Sequence, residues 1–418
     1  MKLPAADRLI DATFWLTMPL MAWFAVFGHR GAAVVAGVSA LAAALRQSIW
    51  REGLSLLAPG RIASASLPRA AAACLLFVAW IAVTGFWSPT PGAPKLALTV
   101  TVFILSGGAL VYEAARAGPA RVRRLAALYA LAVGAAAAAL LFEGLTGGLL
   151  RSVIPPTDQT PGRWKDLTAL ARGVTYVAPL VFPAAAILYA LTQSRAAAAA
   201  PILFALLAAT QFTVAANVAA LAGAIGAGTL AFWRPKETVM ALGALVIASL
   251  ILAPLAVLAP ADAILGAETP LMPASWAQRI NLWEESGERI LSGCFFTGCG
   301  ADYTRAWAAD SATITVPGWP VPLMEAPIHP HNVFLQIWLE LGIFGVLTFG
   351  AAFGFGLKRL LDIPPRRAAF AAIAASGAAA YISFMFEASL WQAWRVAILS
   401  LAAFGAALSY SLNERRST

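Results

Sequence analysis

Apolar runs long enough to cross a bilayer recur along the whole chain, and that recurrence leaves few folds open to it. A hydrocarbon core ~30 Å thick is spanned by a helix of roughly 17 to 25 residues, and lipid offers no partner to an unpaired backbone N–H or C=O. Such runs lie near residues 9–28, 31–47, 69–87, 95–115, 125–146, 171–192, 197–211, 213–233, 238–259, 331–357, 368–386 and 390–411. They predict an all-α polytopic membrane protein of about twelve transmembrane helices, forming a single transmembrane domain over 1–418. Composition agrees, with 60% of the 418 residues hydrophobic and only 12% charged.

The first run follows Lys2 and Arg8. It is longer than a signal-peptide core and no small-x-small cleavage site follows it, so it is expected to remain as an anchor. Once the spans are drawn, cations alternate between dense and sparse connections. The dense side, which includes Arg121, Arg123, Arg124, Lys358, Arg359, Arg366 and Arg367, is expected to be cytoplasmic, with both termini on it. That bias accounts for most of the net charge of +9, so no nucleic-acid partner is needed to explain it. It does not account for Arg151, Arg163, Lys165 and Arg172 in one outer connection, or Arg279, Arg289 and Arg305 in another.

Those outer connections are the two that depart from a tight weave of spans and short turns. The smaller, about 147–170, contains IPPTDQTPGRWKDL; the larger, about 260–330, is long enough to fold, and insertions of that length are seldom idle. Within it, SWAQRINLWEESGERIL reads as an amphipathic helix at the membrane surface. Ser275 and Gln278 stand at capping-box spacing, with Trp276, Ile280, Trp283 and Ile290 at helical intervals. Cys294 and Cys299 follow; in an oxidising compartment they can close a local disulfide, if the short loop allows the geometry.

Two of the chain's three histidines stand in APIHPHNVFLQIWLELGIFG, just before an apolar span. From His331 onward, Asn332, Gln336 and Glu340 recur every four residues as a polar stripe, which in a membrane helix points into the bundle. Glu340 lies two and a half turns below His331 on nearly the opposite face, so the two are not expected to pair. Gly342 and Gly345 offer close approach to another helix. Zinc fits poorly, because His329-x-His331 is too tight and Cys294/Cys299 too wide for the usual ligand pairs. A metal-free functional histidine remains, with His331 ahead of His329, against the plainer reading that both mark the membrane interface.

In GRWKDLTALARG, Lys165 and Arg172 are seven residues apart and share a helix face, with Arg163 nearby. Guanidinium groups at an outer helix end, beside a loop able to close over them, suit diphosphate oxygens. The alternative is snorkelling to lipid headgroups, and for Arg289 a solvated lid.

His331-Asn332, nine residues, then Gly342-x-x-Gly345 resembles the H[NSQ]-x9-G-x-x-G signature of bacterial O-antigen ligases, the WaaL family within the O-antigen ligase/polymerase superfamily. Arg279-x3-Trp283, running on to Gly298-x-Gly300, and WKDLTALARG are similar to the superfamily's basic segments. One departure stands in TVAANVAALAG, where Asn217 occupies a place at which many members carry a cation. FEASLWQAWR, with Glu387, Trp391, Gln392 and Arg395, matches no signature but is placed to line a cavity from the far side.

The resemblance implies a GT-C-like glycosyltransferase in the bacterial inner membrane, with its site facing the periplasm. Its donor is an undecaprenyl-diphosphate-linked O-antigen and its acceptor the lipid A-core, with membrane lipids around it and neither cofactor nor metal. His331 is then the general base, Arg172 and Arg279 hold the diphosphate, and Arg163 and Lys165 support them. Asn332 orients the histidine or the acceptor, and Arg289 and His329 complete the expected substrate contacts. An O-antigen polymerase or a protein O-oligosaccharyltransferase would share the donor site. A secondary transporter would also have about twelve spans, but with midplane charges and repeated halves, neither of which is visible here.

Overall fold

The computed structural model describes residues 4–47, 69–154, 163–212, 214–387 and 389–414. The chain is an all-α polytopic membrane protein; among the described residues the one departure is a short hairpin pairing Thr313–Ile314 with Leu323–Met324 inside the long loop. Among the described residues, eight helices or joined helices are long and apolar enough to cross a membrane. A bent pair, Leu167–Val177 with Val181–Thr192, supplies a ninth, and Arg69–Thr84 and Arg195–Gln211 are shorter apolar helices. The short run read near 31–47 is also helical, as Ala32–Gln47.

The span read as continuous over 171–192 is instead bent by 50°. Pro179 and Pro183 lie at the corner, where each removes a backbone donor and its ring opposes a straight helix. The Pro179 carbonyl is taken up by the Ser376 hydroxyl at 2.6 Å. This corner turns the first half of the pair, which carries Arg172 and Thr175, across the end of the bundle where the long loop lies.

Residues 333–362 form a helix broken at Gly342, whose φ of +62° and ψ of −165° belong to a region open essentially to glycine. The expectation that Gly342 admits a neighbouring helix is corrected: the 295–300 turn docks there. Cys299 and Gly300 donate their N–H groups to the carbonyls of Leu339 and Glu340, and the Ile343 N–H donates to the Phe295 carbonyl. Trp80 Nε1 donates to the Leu341 carbonyl at 2.7 Å. The backbone groups released by the break are thereby satisfied, as an apolar interior requires. Cys294 and Cys299 are joined as a disulfide across the same turn.

The long loop is thus pinned to the bundle. Ser88 and Thr90 donate to the carbonyls of Ala301 and Asp302 at 2.6 and 2.7 Å, and Trp87 Nε1 reaches the Gly298 carbonyl. Glu340 completes the attachment from inside. Its buried carboxylate accepts from the Asp302 N–H at 2.7 Å, the Thr304 hydroxyl at 2.5 Å, Gln336 Nε2 at 3.2 Å and Trp391 Nε1 at 2.5 Å. With the Thr304 N–H at 3.3 Å, five donors serve a buried carboxylate, as its desolvation demands.

The loop helix, Ala274–Arg289, forms as expected but without the capping box. Pro273 is its N-cap, so Ser275 falls inside the helix and Gln278 Nε2 donates to the Met324 carbonyl at 2.6 Å. Trp276 and Trp283 lie against Phe386, with ring centroids 5.5 and 6.3 Å apart, and Trp283 Nε1 donates to the Pro330 carbonyl. Both tryptophans therefore have partners within the bundle.

Two glycines in one helix should behave oppositely. At Gly342 a Cβ would overlap the Phe296 carbonyl and sit on a strained backbone, whereas at Gly354 nothing lies within 4 Å. Gly342→Ala should cost at least the ~1–3 kcal/mol of the backbone conformation and lower the melting temperature of the detergent-purified protein, while Gly354→Ala should leave it unchanged or raise it slightly.

Candidate functional site

Where the long loop meets the bundle, a cavity of about 590 Å³ opens between the bent pair, the loop helix and the segment joining the last two long helices. All three histidines of the chain line it: His29, His329 and His331. Among the described residues five arginines do too, Arg30, Arg172, Arg279, Arg305 and Arg395, against one carboxylate, Glu387. Local backbone structure places each of them.

His331 stands just outside the broken helix with φ of +56°, a left-handed conformation uncommon for a residue with a Cβ. The turn it makes follows Pro330 and ends in a firm cap. Asn332, rather than opening the helix as part of a stripe, is its N-cap: Oδ1 accepts from the N–H groups of Phe334 and Leu335 at 3.0 and 3.2 Å. Asn332 thus fixes the chain direction next to His331, while its side-chain oxygen is committed to the helix. Gln336 and Glu340 bond to each other below, and neither lines the cavity.

His329 and His331 face each other with ring centroids 4.2 Å apart, and the His331 N–H donates to His329 Nδ1 at 3.3 Å. His329 Nε2 lies 3.3 Å from the Gln392 amide, whose oxygen in turn accepts from Arg395 Nε at 2.6 Å. His29 packs edge-on to Trp394 at 4.6 Å. Burial lowers the pKa of every histidine, and the surrounding positive charge adds to the effect. His29 is lowered to about 3 and His329 to about 4. His331 is held well below its usual value by burial, then by His329, Arg279 and Arg395, although a backbone hydrogen bond with Glu387 opposes this. Three imidazoles are therefore neutral at physiological pH, each with a lone pair.

Arg172 comes from the first half of the bent pair, where Gly173 allows the helix to lie against the Ala25 carbonyl. Asn217 fastens the same helix. It donates to the Ala171 carbonyl at 2.8 Å and accepts from the Thr175 hydroxyl at 2.8 Å, so this position acts as a neutral clasp instead of a cation. Arg279 projects from the loop helix over the Trp276 ring, with Nη1 on the Ser275 carbonyl and Nε buried without a partner. Burial lowers its pKa, with Glu387 opposing. Arg305 is held by Asp302 at 2.7 Å. Arg395 donates to Ser383 and to the Glu387 carbonyl and stacks on Trp394.

The structure therefore brings His331, His329, Arg172 and Arg279 together. It does not bring Arg289 to them: Arg289 lies over the Trp307 ring at 4.1 Å and donates to the Tyr303 hydroxyl, outside the cavity. Arg163 and Lys165 belong to the first turn of the Arg163–Val177 helix, but their side chains lie outside the described residues. Sequence reasoning missed His29 and Arg30. They sit in a tight turn after the first span, and the rarity of histidine was the available signal.

A cavity that buries neutral histidines makes stability sensitive to acid. The unfolded chain takes up these protons near pH 6.5, the folded chain only near the depressed values, so stability is lost as pH falls from about 6.5 towards about 3. The melting temperature in detergent should fall between about pH 7 and about pH 5, and His29→Gln with His329→Gln should flatten that slope.

Residues 178–350 match the family model described as O-antigen ligase (Wzy_C). The matched segment contains Arg279, His331 and the Gly342 break, but not Arg172, Glu387 or Arg395. No curated protein is matched by the chain. The matched segment supports a membrane function of the O-antigen ligase/polymerase type.

Proposed function

We propose that this cavity binds the diphosphate of a lipid-linked glycan and transfers the glycan to a sugar hydroxyl of the lipid A-core, as an O-antigen ligase does. The observation that carries the reading is the convergence of five arginines with neutral histidines in one cavity, reached from parts of the chain that include the O-antigen ligase segment. A diphosphate is a stable dianion or more, and its leaving requires cations around it, not a proton. Arg172 comes from the bent pair and Arg279 from the loop helix, and both line the same cavity, a pairing suited to gripping two phosphoryl groups. Arg163 and Lys165, at the start of the same helix as Arg172, would extend that grip.

A sugar hydroxyl is a weak nucleophile at neutral pH. As its oxygen bonds to the anomeric carbon, the bond from that carbon to the diphosphate breaks, its electron pair leaves with the lipid diphosphate, and the hydroxyl proton passes to His331. Only a neutral imidazole can accept it, and His331 is kept neutral by its surroundings. Arrival of the diphosphate would offset the arginine charges and raise the basicity of His331 when the substrate is in place. Attack from the face opposite the leaving group inverts the anomeric centre. Asn332 serves by holding the turn that presents His331, and His329 by contacting the acceptor or donor beside it.

The positive-inside distribution of cations supports a periplasmic position for the cavity, the side on which both lipid-linked partners would be met. A polymerase would use the same donor site with a growing glycan as acceptor. The discriminating experiment offers purified protein a radiolabelled undecaprenyl-diphosphate glycan with either lipid A-core or a repeat-unit acceptor. Label should move to lipid A-core; movement to the repeat unit alone would make the protein a polymerase.

In the same assay His331→Ala should lower transfer by about 10²–10⁴-fold, the usual contribution of a general base, at unchanged membrane levels of protein. Arg172→Ala and Arg279→Ala should also abolish transfer, whereas Arg289→Ala should not. Full transfer by the His331 variant would remove the base assignment.

A further inference from the structure

Grip on a diphosphate needs no carboxylate, yet one stands among the cations. Glu387 ends the Arg367–Phe386 helix, its N–H donating to the Ser383 carbonyl, and its side chain is 15% exposed. One carboxylate oxygen lies 3.5 Å from the Thr175 hydroxyl, whose proton goes to Asn217, and 3.9 Å from Arg395 Nη2. Those are loose contacts. Two other ion pairs of this protein are tight, at 2.5 Å for Arg121 with Glu113 and 2.7 Å for Arg305 with Asp302, while Arg46 stands 3.8 Å from Glu113. Glu387 also lines the same cavity as Arg172 and Arg279 and is within electrostatic reach of both. A group that only neutralised Arg395 would bond to it directly and would not need to share a cavity with two further guanidinium groups.

Resting on the functional reading above, we infer that Glu387 is an internal counter-anion that competes with the diphosphate for Arg172, Arg279 and Arg395, holding donor affinity down and speeding release of the lipid diphosphate product. The physical need is clear. A diphosphate is present in both the donor and the product, so cations that bind it equally in each lower KM without raising kcat, and then retain the product. A tethered carboxylate in the same field weakens both complexes and supplies the charge compensation when the diphosphate departs. Its main-chain carbonyl, which accepts from Arg395 Nη2 at 3.3 Å, keeps the tether in register with the cations whether or not the carboxylate has moved aside.

The test is titration of full-length, detergent-purified protein with inorganic pyrophosphate by calorimetry, paired with steady-state transfer kinetics. Glu387→Gln should bind pyrophosphate about tenfold more tightly than the wild type, about 1.4 kcal/mol. Glu387→Asp, which keeps the charge, should stay within about threefold of it. In transfer, Glu387→Gln should lower KM and kcat together and be inhibited more strongly by added undecaprenyl diphosphate. Should the Gln variant not accumulate, Glu387→Ala provides the same neutralisation. Unchanged or weaker pyrophosphate binding in the neutral variants overturns the role of Glu387 and leaves the diphosphate site intact. Failure of the wild type to bind pyrophosphate, with Arg172→Ala and Arg279→Ala no different from it, overturns the diphosphate site itself and this inference with it.

Discussion

The carboxylate of Glu340 is the point at which the separate parts of this structure are tied. It sits fully inside the bundle and accepts from the long loop through Asp302 and Thr304, from its own helix through Gln336, and from the segment after the next helix through Trp391. Each donor leads to the cavity wall. Asp302 holds Arg305, Trp391 lines the cavity directly, and Gln336 accepts from the Leu390 N–H. Just beyond Glu340, the break at Gly342 lets the 295–300 turn lend its backbone donors to the freed carbonyls. A loop of some seventy residues is thereby anchored at its middle, and the loop helix with Arg279 is brought over the bent pair with Arg172.

That anchoring explains how a chain so poor in charge concentrates cations in one place. The arginines of the cavity come from the first turn between spans, the bent pair, the loop and the last long helix, and four of them have an identifiable local support. A corner at Pro179 turns Arg172, Trp276 underlies Arg279, Asp302 holds Arg305, and Trp394 underlies Arg395. Their summed field, with burial, keeps His29 and His329 neutral and His331 likewise. Such an arrangement stores, ahead of any ligand, the electrostatic interactions that an anionic leaving group requires, so little reorganisation remains for the reacting state.

The fold class was legible because run length and bilayer thickness share one scale, and the described helices fall where the apolar runs lie. Among the residues that line the candidate cavity, His331, Arg172 and Arg279 could be singled out by chemical type, by the rarity of histidine and by the resemblance of their segments, against the plainer readings of interface marking and snorkelling. What escaped was geometry set by distant partners. Gly342 reads as a packing glycine until the 295–300 turn is seen to dock on it, and Ser275 reads as a cap until Pro273 is seen to start the helix. His29 and Arg30 meet Trp394 and Arg172 only through packing of segments far apart in the chain. Arg289 shares charge and helix with Arg279, yet ten residues along an α-helix is not a whole number of turns, and it lies over Trp307 instead.

The central claim is that the arginine-lined cavity is where a lipid diphosphate lies during transfer, with His331 beside the reacting carbon. Its most direct test is an electron cryo-microscopy structure of the protein with a non-transferable undecaprenyl-diphosphate glycan analogue. The account predicts both phosphates between Arg172 and Arg279, with the anomeric carbon placed so that a hydroxyl oxygen about 3–3.5 Å away falls within hydrogen-bond reach of the His331 imidazole. Phosphate density away from these arginines, such as in the apolar groove lined by Phe182, Ile225 and Ala371, would contradict it.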